Sequence, residues 1–147
     1  MRLFISVIFY IQISVFTAGL WAQSVDEVKF DQVSISVNGK TVKLEYAHSF
    51  GQRARGLMHR EFMCEQCGML FNFNQLKQAS MWMKNTLIPL DVAFIRQDGV
   101  ITDIKTMQAH DLTPIRSSEK VQYAWEMNVG WFKHKGIAVG DTVFIQP

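Results

Sequence analysis

Residues 81 to 95, MWMKNTLIPLDVAFI, form the stretch around which the rest of the chain is organised. Its first half places Trp82, Lys84 and Asn85 close together, and its second half is an apolar run interrupted only by Asp91. A short apolar run bounded by a proline is typical of a buried strand. Polar groups among large apolar side chains must form hydrogen bonds or ion pairs with one another, with the backbone or with a ligand. We therefore predict two extended segments joined near the proline, with Lys84, Asn85 and Asp91 close to an aromatic surface.

The beginning of the chain has the pattern of an export signal rather than of a folded segment. Arg2 gives a positive start, residues 3 to 16 are mostly apolar, and Ala22 is a small residue suited to the cleavage position. The apolar stretch is short for a membrane span and carries polar interruptions, so an uncleaved anchor is the weaker alternative. We predict a periplasmic or secreted protein with a signal peptide over residues 1–22, a lead-in over 23–32 and one domain over 33–147.

The charge balance argues against a nucleic-acid partner. The full sequence has 15 Lys and Arg against 13 Asp and Glu, a net charge of +2, and shows no basic run of the kind that contacts phosphates. The length that remains after the signal, about 125 residues, is typical of one domain with one core. We expect a monomer that binds no cofactor and no nucleic acid, and that leaves the membrane once the signal is removed.

Alternation of apolar and polar residues predicts strands along most of the domain. The run from Val33 to Val37 alternates in this way, and the alternation resumes beyond Asn38 and Gly39. An Asn-Gly pair between two such runs is a strong hairpin signal, because a type I′ turn needs positive φ at both central residues. Asp98 and Gly99 form a second turn of this type. The predicted fold is mainly β, a compact antiparallel β sandwich or barrel with one or two short helices.

Residues 49 to 62 change to the spacing of an amphipathic helix, with Ser49 available as its N-cap. Arg53, Arg55 and Arg60 lie off the apolar stripe. One interpretation makes them the solvated face of a short surface helix. The other turns one or two of them inward to bind an anionic group, for which the guanidinium fork is well shaped.

The two cysteines of the chain, Cys64 and Cys67, lie close together. An even number of cysteines in an exported protein is expected to be oxidised. A haem attachment would need a histidine where Gly68 stands, and the four histidines lack the paired spacing of a zinc site. A local disulfide is the favoured interpretation, and a redox pair, free thiols or a metal site are the alternatives.

Residues 121 to 128 alternate again, which predicts a strand with one apolar face and one polar face. Glu126 and Asn128 share the polar face. Asn128 is also placed to cap a short helix over residues 129 to 135.

Six ordered motifs lie between about Val33 and Ile145. They are RGLMHR at 55–60, GMLF at 68–71, MWMKNT at 81–86, IPLD at 88–91, EMN at 126–128 with Gly130, and GD at 140–141. Together they resemble the bacterial and archaeal family known as domain of unknown function 192, DUF192. The resemblance implies a compact, mainly antiparallel β domain with one or two short helices. It implies no catalytic residue, because the family has no established activity, and Cys64 and Cys67 lie outside the family's common pattern.

Three interpretations of the polar residues stay open. The first is an exported binding module whose pocket captures a small polar ligand, such as a sugar or an anion. The second is a hydrolase or lyase-type enzyme that uses Asp91 or Glu126 as acid and base. The third is a buried polar network that fixes the strand register. The predicted ligand-binding residues, with no metal among their ligands, are Arg55, Arg60, Trp82, Lys84, Asn85, Asp91, Glu126 and Asn128.

Overall fold

The structure, a computed structural model, describes residues 28–146. The predicted signal peptide and the first part of the lead-in lie outside the described residues. No helix within the described range is long and apolar enough to cross a membrane. The elements are β1 Asp31–Val37, β2 Lys40–Ala47, α1 Phe50–Arg55, β3 Gly68–Met81, β4 Leu90–Ile95, β5 Ile101–Met107, β6 Ile115–Asn128, α2 Trp131–Lys135 and β7 Phe144–Gln146.

The strands form one sheet in the order β5-β4-β6-β3-β2-β1-β7. The predicted mainly β fold with two short helices is confirmed. The sheet is open, with β5 and β7 at its edges, and it does not close into a barrel. Its strand pairs are antiparallel with one exception, the parallel pair of β2 and β3.

The parallel pair explains why a long connection separates β2 from β3. Parallel neighbours cannot be joined by a tight turn, because the chain must return to the end of the sheet where it started. The chain therefore leaves the sheet after Ala47 and re-enters it at Gly68. We call residues 48–67 the crossover; it contains α1 and both cysteines.

The predicted first hairpin is present. Asn38 and Gly39 both have positive φ, 49° and 72°, as a type I′ turn requires, and Val37 pairs with Lys40 across them. Local turn chemistry is therefore sufficient to set the register of β1 against β2.

Both faces of the sheet are buried in its central part. Successive side chains of a strand point to opposite faces, and accordingly Trp125 and Met127 of β6 pack in one hydrophobic cluster and Ala124 in another. Glu126 lies between Trp125 and Met127 and so faces the side of Ala124. The second cluster, which we call the Met69 cluster, also contains Met69, Phe71, Val92 and Phe94.

The first helix is shorter than predicted. Ser49 caps it as expected, since its hydroxyl accepts a hydrogen bond from the Gln52 N–H at 3.2 Å, but α1 ends at Arg55. The predicted apolar stripe over residues 49 to 62 is wrong, because Phe50 and Phe62 are 83% and 84% exposed. Gly56 ends the helix with a positive φ of 47°.

Candidate functional site

A cavity of about 270 Å³ opens beside the Met69 cluster. Its walls come from α1 and the residues that follow it, from β3, and from the chain just after β3; Glu126 of β6 also lines it. The charged and aromatic residues that line it are Phe50, Arg53, Arg55, Phe71, Phe73, Lys77, Trp82 and Glu126.

Glu126 is the most unusual residue of the cavity. Its register neighbours are Met69 on β3 and Val92 on β4, so apolar side chains flank it on both sides. It is 4% exposed, and no residue in the described range donates a hydrogen bond to its carboxyl or lies within salt-bridge distance. Burial raises the pKa of Glu126 from 4.5 to about 8. At neutral pH the group is therefore mainly a protonated carboxylic acid, able both to donate and to accept.

Basic side chains surround the cavity. The Arg53 Nη1 donates to the carbonyl oxygens of His48 and Asn72, which fixes this guanidinium in place. Arg55 is exposed and has no hydrogen-bond or ion-pair partner among the described residues. Lys77 is exposed too, with its ammonium 5.0 Å from the centre of the Phe73 ring. The accessible part of the cavity is thus positively charged, whereas its buried part holds the acid.

Exposed aromatic rings border the same opening. Trp82 is 53% exposed and Phe50 is 83% exposed, although large apolar side chains of this kind are usually covered. The Lys84 ammonium lies 5.5 Å from the centre of the Trp82 ring. Lys84 does not line the cavity, but it stands next to a residue that does.

Of the eight predicted ligand-binding residues, the structure brings three together at the cavity: Arg55, Trp82 and Glu126. Trp82 and Glu126 thus line one cavity, whereas the other five predicted residues do not line it.

Three of the other predicted residues serve the fold. Arg60 pairs with Glu45 at 2.5 Å. Asn85 has a positive φ of 54°, and its carbonyl oxygen accepts a hydrogen bond from the backbone N–H of His59 at 2.8 Å. Asn128 donates to the carbonyl oxygen of Cys64 at 2.9 Å, and it does not cap α2, whose N-cap is Gly130.

Asp91 is placed away from the cavity. Its carboxylate accepts hydrogen bonds from the Thr106 hydroxyl at 2.6 Å and from the Gly130 N–H at 2.7 Å. No cation of the described chain lies within 4.0 Å of it, so neither Lys84 nor an arginine pairs with Asp91. Neutral donors satisfy the carboxylate instead.

The register of β4 and β6 separates Asp91 from Glu126. Asp91 is paired with Met127, and Val92 is paired with Glu126. Paired residues share a face and successive residues alternate, so the two carboxyl groups point to opposite faces of the sheet. They cannot act as an acid and base on one substrate.

Several cavity residues were missed by the sequence analysis. Residues 74 to 80 are mostly polar, yet β3 continues through them to Met81, with register shifts between Asn72 and Ser80. These irregularities place Phe73 and Lys77 at the cavity. An irregular strand of mixed polar composition gives no clear period, so no signal in the sequence pointed to them.

The crossover is attached to α2 by the cysteine loop. Cys64 and Cys67 form a disulfide with an Sγ–Sγ distance of 2.00 Å. Within this loop, the Gln66 side-chain oxygen accepts a hydrogen bond from the Trp131 indole N–H at 3.3 Å. No group of three or more His, Cys, Asp or Glu in the described part of the chain is arranged to hold a metal ion.

The structure thus defines a mainly β domain with an open sheet and a cavity that is lined in part by the buried acid Glu126. Comparison with known proteins shows the family to which the chain belongs. Residues 33–145 match DUF192, a family described as "Uncharacterized ACR", and the chain belongs to this family. No curated protein matches the chain.

Two solved structures are similar to this one. A protein from Sinorhizobium meliloti 1021, described as a "putative transcription regulator", is 37% identical with a TM-score of 0.76; the match covers 81% of this chain and 97% of that one. A protein of unknown function from Novosphingobium aromaticivorans DSM 12444 is 29% identical with a TM-score of 0.71, and the match covers 82% and 89%.

Proposed function

We propose that this protein is a binding module that holds a small polar ligand in the cavity floored by Glu126. The observation that carries the proposal is the carboxyl of Glu126, which is almost fully buried, lacks a partner among the described residues and lines an open cavity. A polar group that the fold leaves without a donor and that reaches a cavity takes its hydrogen-bond partner from that cavity. A ligand that bonds to the carboxyl supplies that partner.

A purely structural role fits Glu126 poorly, as the contrast with Asp103 illustrates. Asp103 is also buried, but it accepts hydrogen bonds from Thr102 and from both the N–H and the hydroxyl of Ser118. Burial by itself would raise the pKa of Asp103, yet these bonds and the nearby Lys105 lower it below its usual value. A carboxyl that serves the fold is thus well supplied with donors, and Glu126 has none from the described chain.

The walls of the cavity suggest the chemistry of the ligand. Arg55 and Lys77 favour an anionic group at the opening, and Trp82 offers an apolar surface beside it. A small polar molecule with an anionic group and one further polar group, such as an acidic sugar, fits these features. The cavity volume is near the lower limit for ligand sites, which favours a small molecule.

The proposal is tested by NMR titration of the protein with glucuronate, glucose 6-phosphate and glucose. We expect shifts confined to residues around the cavity, and about tenfold weaker binding after Arg55→Ala or Trp82→Ala, equal to about 1.4 kcal/mol. Arg116→Ala, an exposed arginine outside the cavity lining, is the control. Binding that maps elsewhere on the surface, or that the cavity variants leave unchanged, argues against the proposal.

A second candidate function is proton transfer by Glu126. A carboxyl with a pKa of about 8 is suited to act as general acid or base near neutral pH. Asp91 cannot assist, so such an enzyme would use one carboxyl only. Turnover of a bound compound that Glu126→Gln abolishes, with binding retained, would favour this candidate over simple binding.

We also propose that the protein acts after export, as the pattern of residues 1–22 indicates. The intact mass of protein isolated from its native compartment tests this. A mature chain that begins at or near Gln23 supports export, and a membrane-bound species that retains residues 1–22 contradicts it.

A further inference from the structure

The charges of the cavity are separated by depth. Glu126 is 4% exposed at the floor, whereas Arg55 and Lys77 are exposed at the opening. None of these cations lies within 4.0 Å of the carboxyl, and burial is the cause of its raised pKa. The acid and the bases therefore do not neutralise one another, and each is free to meet a different part of a ligand.

Two aromatic rings of the cavity already have a cation beside them. A cation is attracted to the face of an aromatic ring within about 6 Å of its centre. Lys77 lies 5.0 Å from the centre of the Phe73 ring, and Lys84 lies 5.5 Å from that of Trp82. A positive group of a ligand would meet these ammonium groups at the two rings, whereas Glu126 offers it an acidic partner in the cavity.

Ligands of a single charge satisfy only part of this arrangement. A simple anion would pair with Arg55 or Lys77 but leave the Glu126 carboxyl without a partner. A simple amine would reach Glu126 only by passing the basic residues at the opening, which repel it. A molecule with a positive end and a negative end satisfies both.

We propose that the cavity binds a small zwitterion, with its ammonium group against Glu126 and its carboxylate or phosphate group against Arg55 and Lys77. This inference rests on the proposed function, because it assumes that the cavity is a ligand site. It replaces a general polar ligand by a defined class: amino acids and amino phosphates. The spacing of the two charged groups then sets which member of the class fits.

Binding of an ammonium group has a measurable consequence for the proton on Glu126. An adjacent positive charge favours the ionised carboxylate, so the O–H bond of the acid breaks and its proton passes to the buffer, while the ligand amine stays protonated. The other charged residues that line the cavity are Arg53 and Arg55 on α1 and Lys77 on β3, and Glu126 is the one carboxyl among the described residues of the lining. Proton release therefore reports on Glu126.

The test is calorimetry with ligands in which the distance between the two charges increases. Glycine, β-alanine, 4-aminobutanoate and 6-aminohexanoate vary the spacing, and O-phosphoethanolamine tests phosphate against carboxylate. Each zwitterion is compared with an alkylamine and a carboxylate of similar length. Titrations in two buffers of different ionisation enthalpy give the number of protons released.

We expect at least one zwitterion to bind tenfold or more tightly than both of its single-charge counterparts. At pH 7 its binding should release most of one proton, because a group with a pKa of about 8 is mainly protonated at that pH. Glu126→Gln should abolish the proton release and weaken the amine contact, and Arg55→Ala should weaken binding tenfold while leaving the proton release in place. Glu61→Gln, an exposed carboxyl outside the cavity, should change neither quantity.

Two results would overturn the inference. One is the absence of binding by every zwitterion tested; the other is zwitterion binding with no proton release and no effect of Glu126→Gln. The NMR spectrum of each variant shows whether it is folded, and Arg55→Ala changes only an exposed side chain. If acidic sugars still give shifts at the cavity, the proposed function stands and only the zwitterion assignment fails.

Discussion

Glu126 pairs with Val92 in the antiparallel register of β6 and β4, so a carboxyl group lies beside an isopropyl group on one face of the sheet. Met69 of β3 occupies the equivalent position on the other side. Water is largely excluded at this position, and a negative charge is correspondingly disfavoured. Glu126 is therefore mainly protonated at neutral pH, whereas an exposed glutamate would be ionised.

This burial predicts how stability depends on pH. The unfolded chain releases the proton of Glu126 above a pH of about 4.5, whereas the folded chain retains it up to about pH 8. The stability that the protonated acid contributes is complete below the lower value and is lost as the pH rises to the upper one. The loss is at most on the order of 5 kcal/mol, given 1.36 kcal/mol per pKa unit.

Glu126→Gln should remove this pH dependence, because an amide does not titrate. Urea denaturation at pH 5, 6.5 and 8 measures it, with Glu61→Gln as an exposed control. We expect the variant to become more stable than the control as the pH rises. Parallel pH profiles for the two variants would show that the Glu126 carboxyl is not desolvated.

Asp91→Ala should destabilise the fold without affecting ligand binding. The substitution removes hydrogen bonds that join β4 to Thr106 of β5 and to the Gly130 N–H at the start of α2. Leaving buried donors without partners costs roughly 2 to 4 kcal/mol here. Thr106→Val removes one of the two bonds and should cost less, about 1 kcal/mol. A ligand lost at unchanged stability would instead place Asp91 in the binding site.

Gly68→Ala should be strongly destabilising. A Cβ at this position would lie 2.2 Å from the sulfur of Met127 and 2.3 Å from the backbone oxygen of Glu126. Relief of such overlap requires β3 and β6 to separate, at a cost of about 3 kcal/mol or more. Gly51→Ala is the matched control, because it lies in α1 with nothing within 4 Å, and it should stabilise by up to about 1 kcal/mol. Equal thermal stability of the two variants would contradict the tight packing at Gly68.

Loss of the disulfide should have a modest effect. The bond closes a loop over Cys64 to Cys67 only, so chain-entropy arguments give it less than the roughly 3 kcal/mol of a 15-residue loop. The double variant Cys64→Ser, Cys67→Ser should therefore remain folded, with a lower midpoint of denaturation. Gln66 and Asn128 continue to anchor the loop to its surroundings. Complete unfolding of the variant would mean that the disulfide stabilises much more of the fold than the loop that it closes.

Local features of this fold were predictable from the sequence, because they depend on neighbouring residues. The Asn38-Gly39 turn and the Ser49 cap both follow from side-chain and backbone preferences within four residues. Each of these two predictions rests on chemistry that acts over a short stretch of chain. The surroundings of Glu126 were not predicted, because the alternation places it on a polar face whereas the strand register places it between Met69 and Val92.

The position of Asp91 was not predictable in this way. Whether it shares a face with Glu126 is decided by the pairing of β4 with β6, two strands that are separated in the chain by β5 and its connections. The parallel pair of β2 and β3 was missed for a similar reason, since its crossover carries only the short helix α1. A shift of one residue in either register would have produced a different set of neighbours.

Because β2 and β3 run parallel, the crossover, residues 48–67, lies outside the sheet. It contributes Phe50, Arg53 and Arg55 to the cavity. Substitutions there alter the chemistry of the opening while every strand keeps its neighbours. Glu126 is different, since it belongs to β6, which lies between β4 and β3 inside the sheet, and it cannot be displaced without moving these neighbours. The fold thus separates an acid fixed within the sheet from a cavity entrance built by the crossover, so the chemistry of the entrance can change without a change in the core.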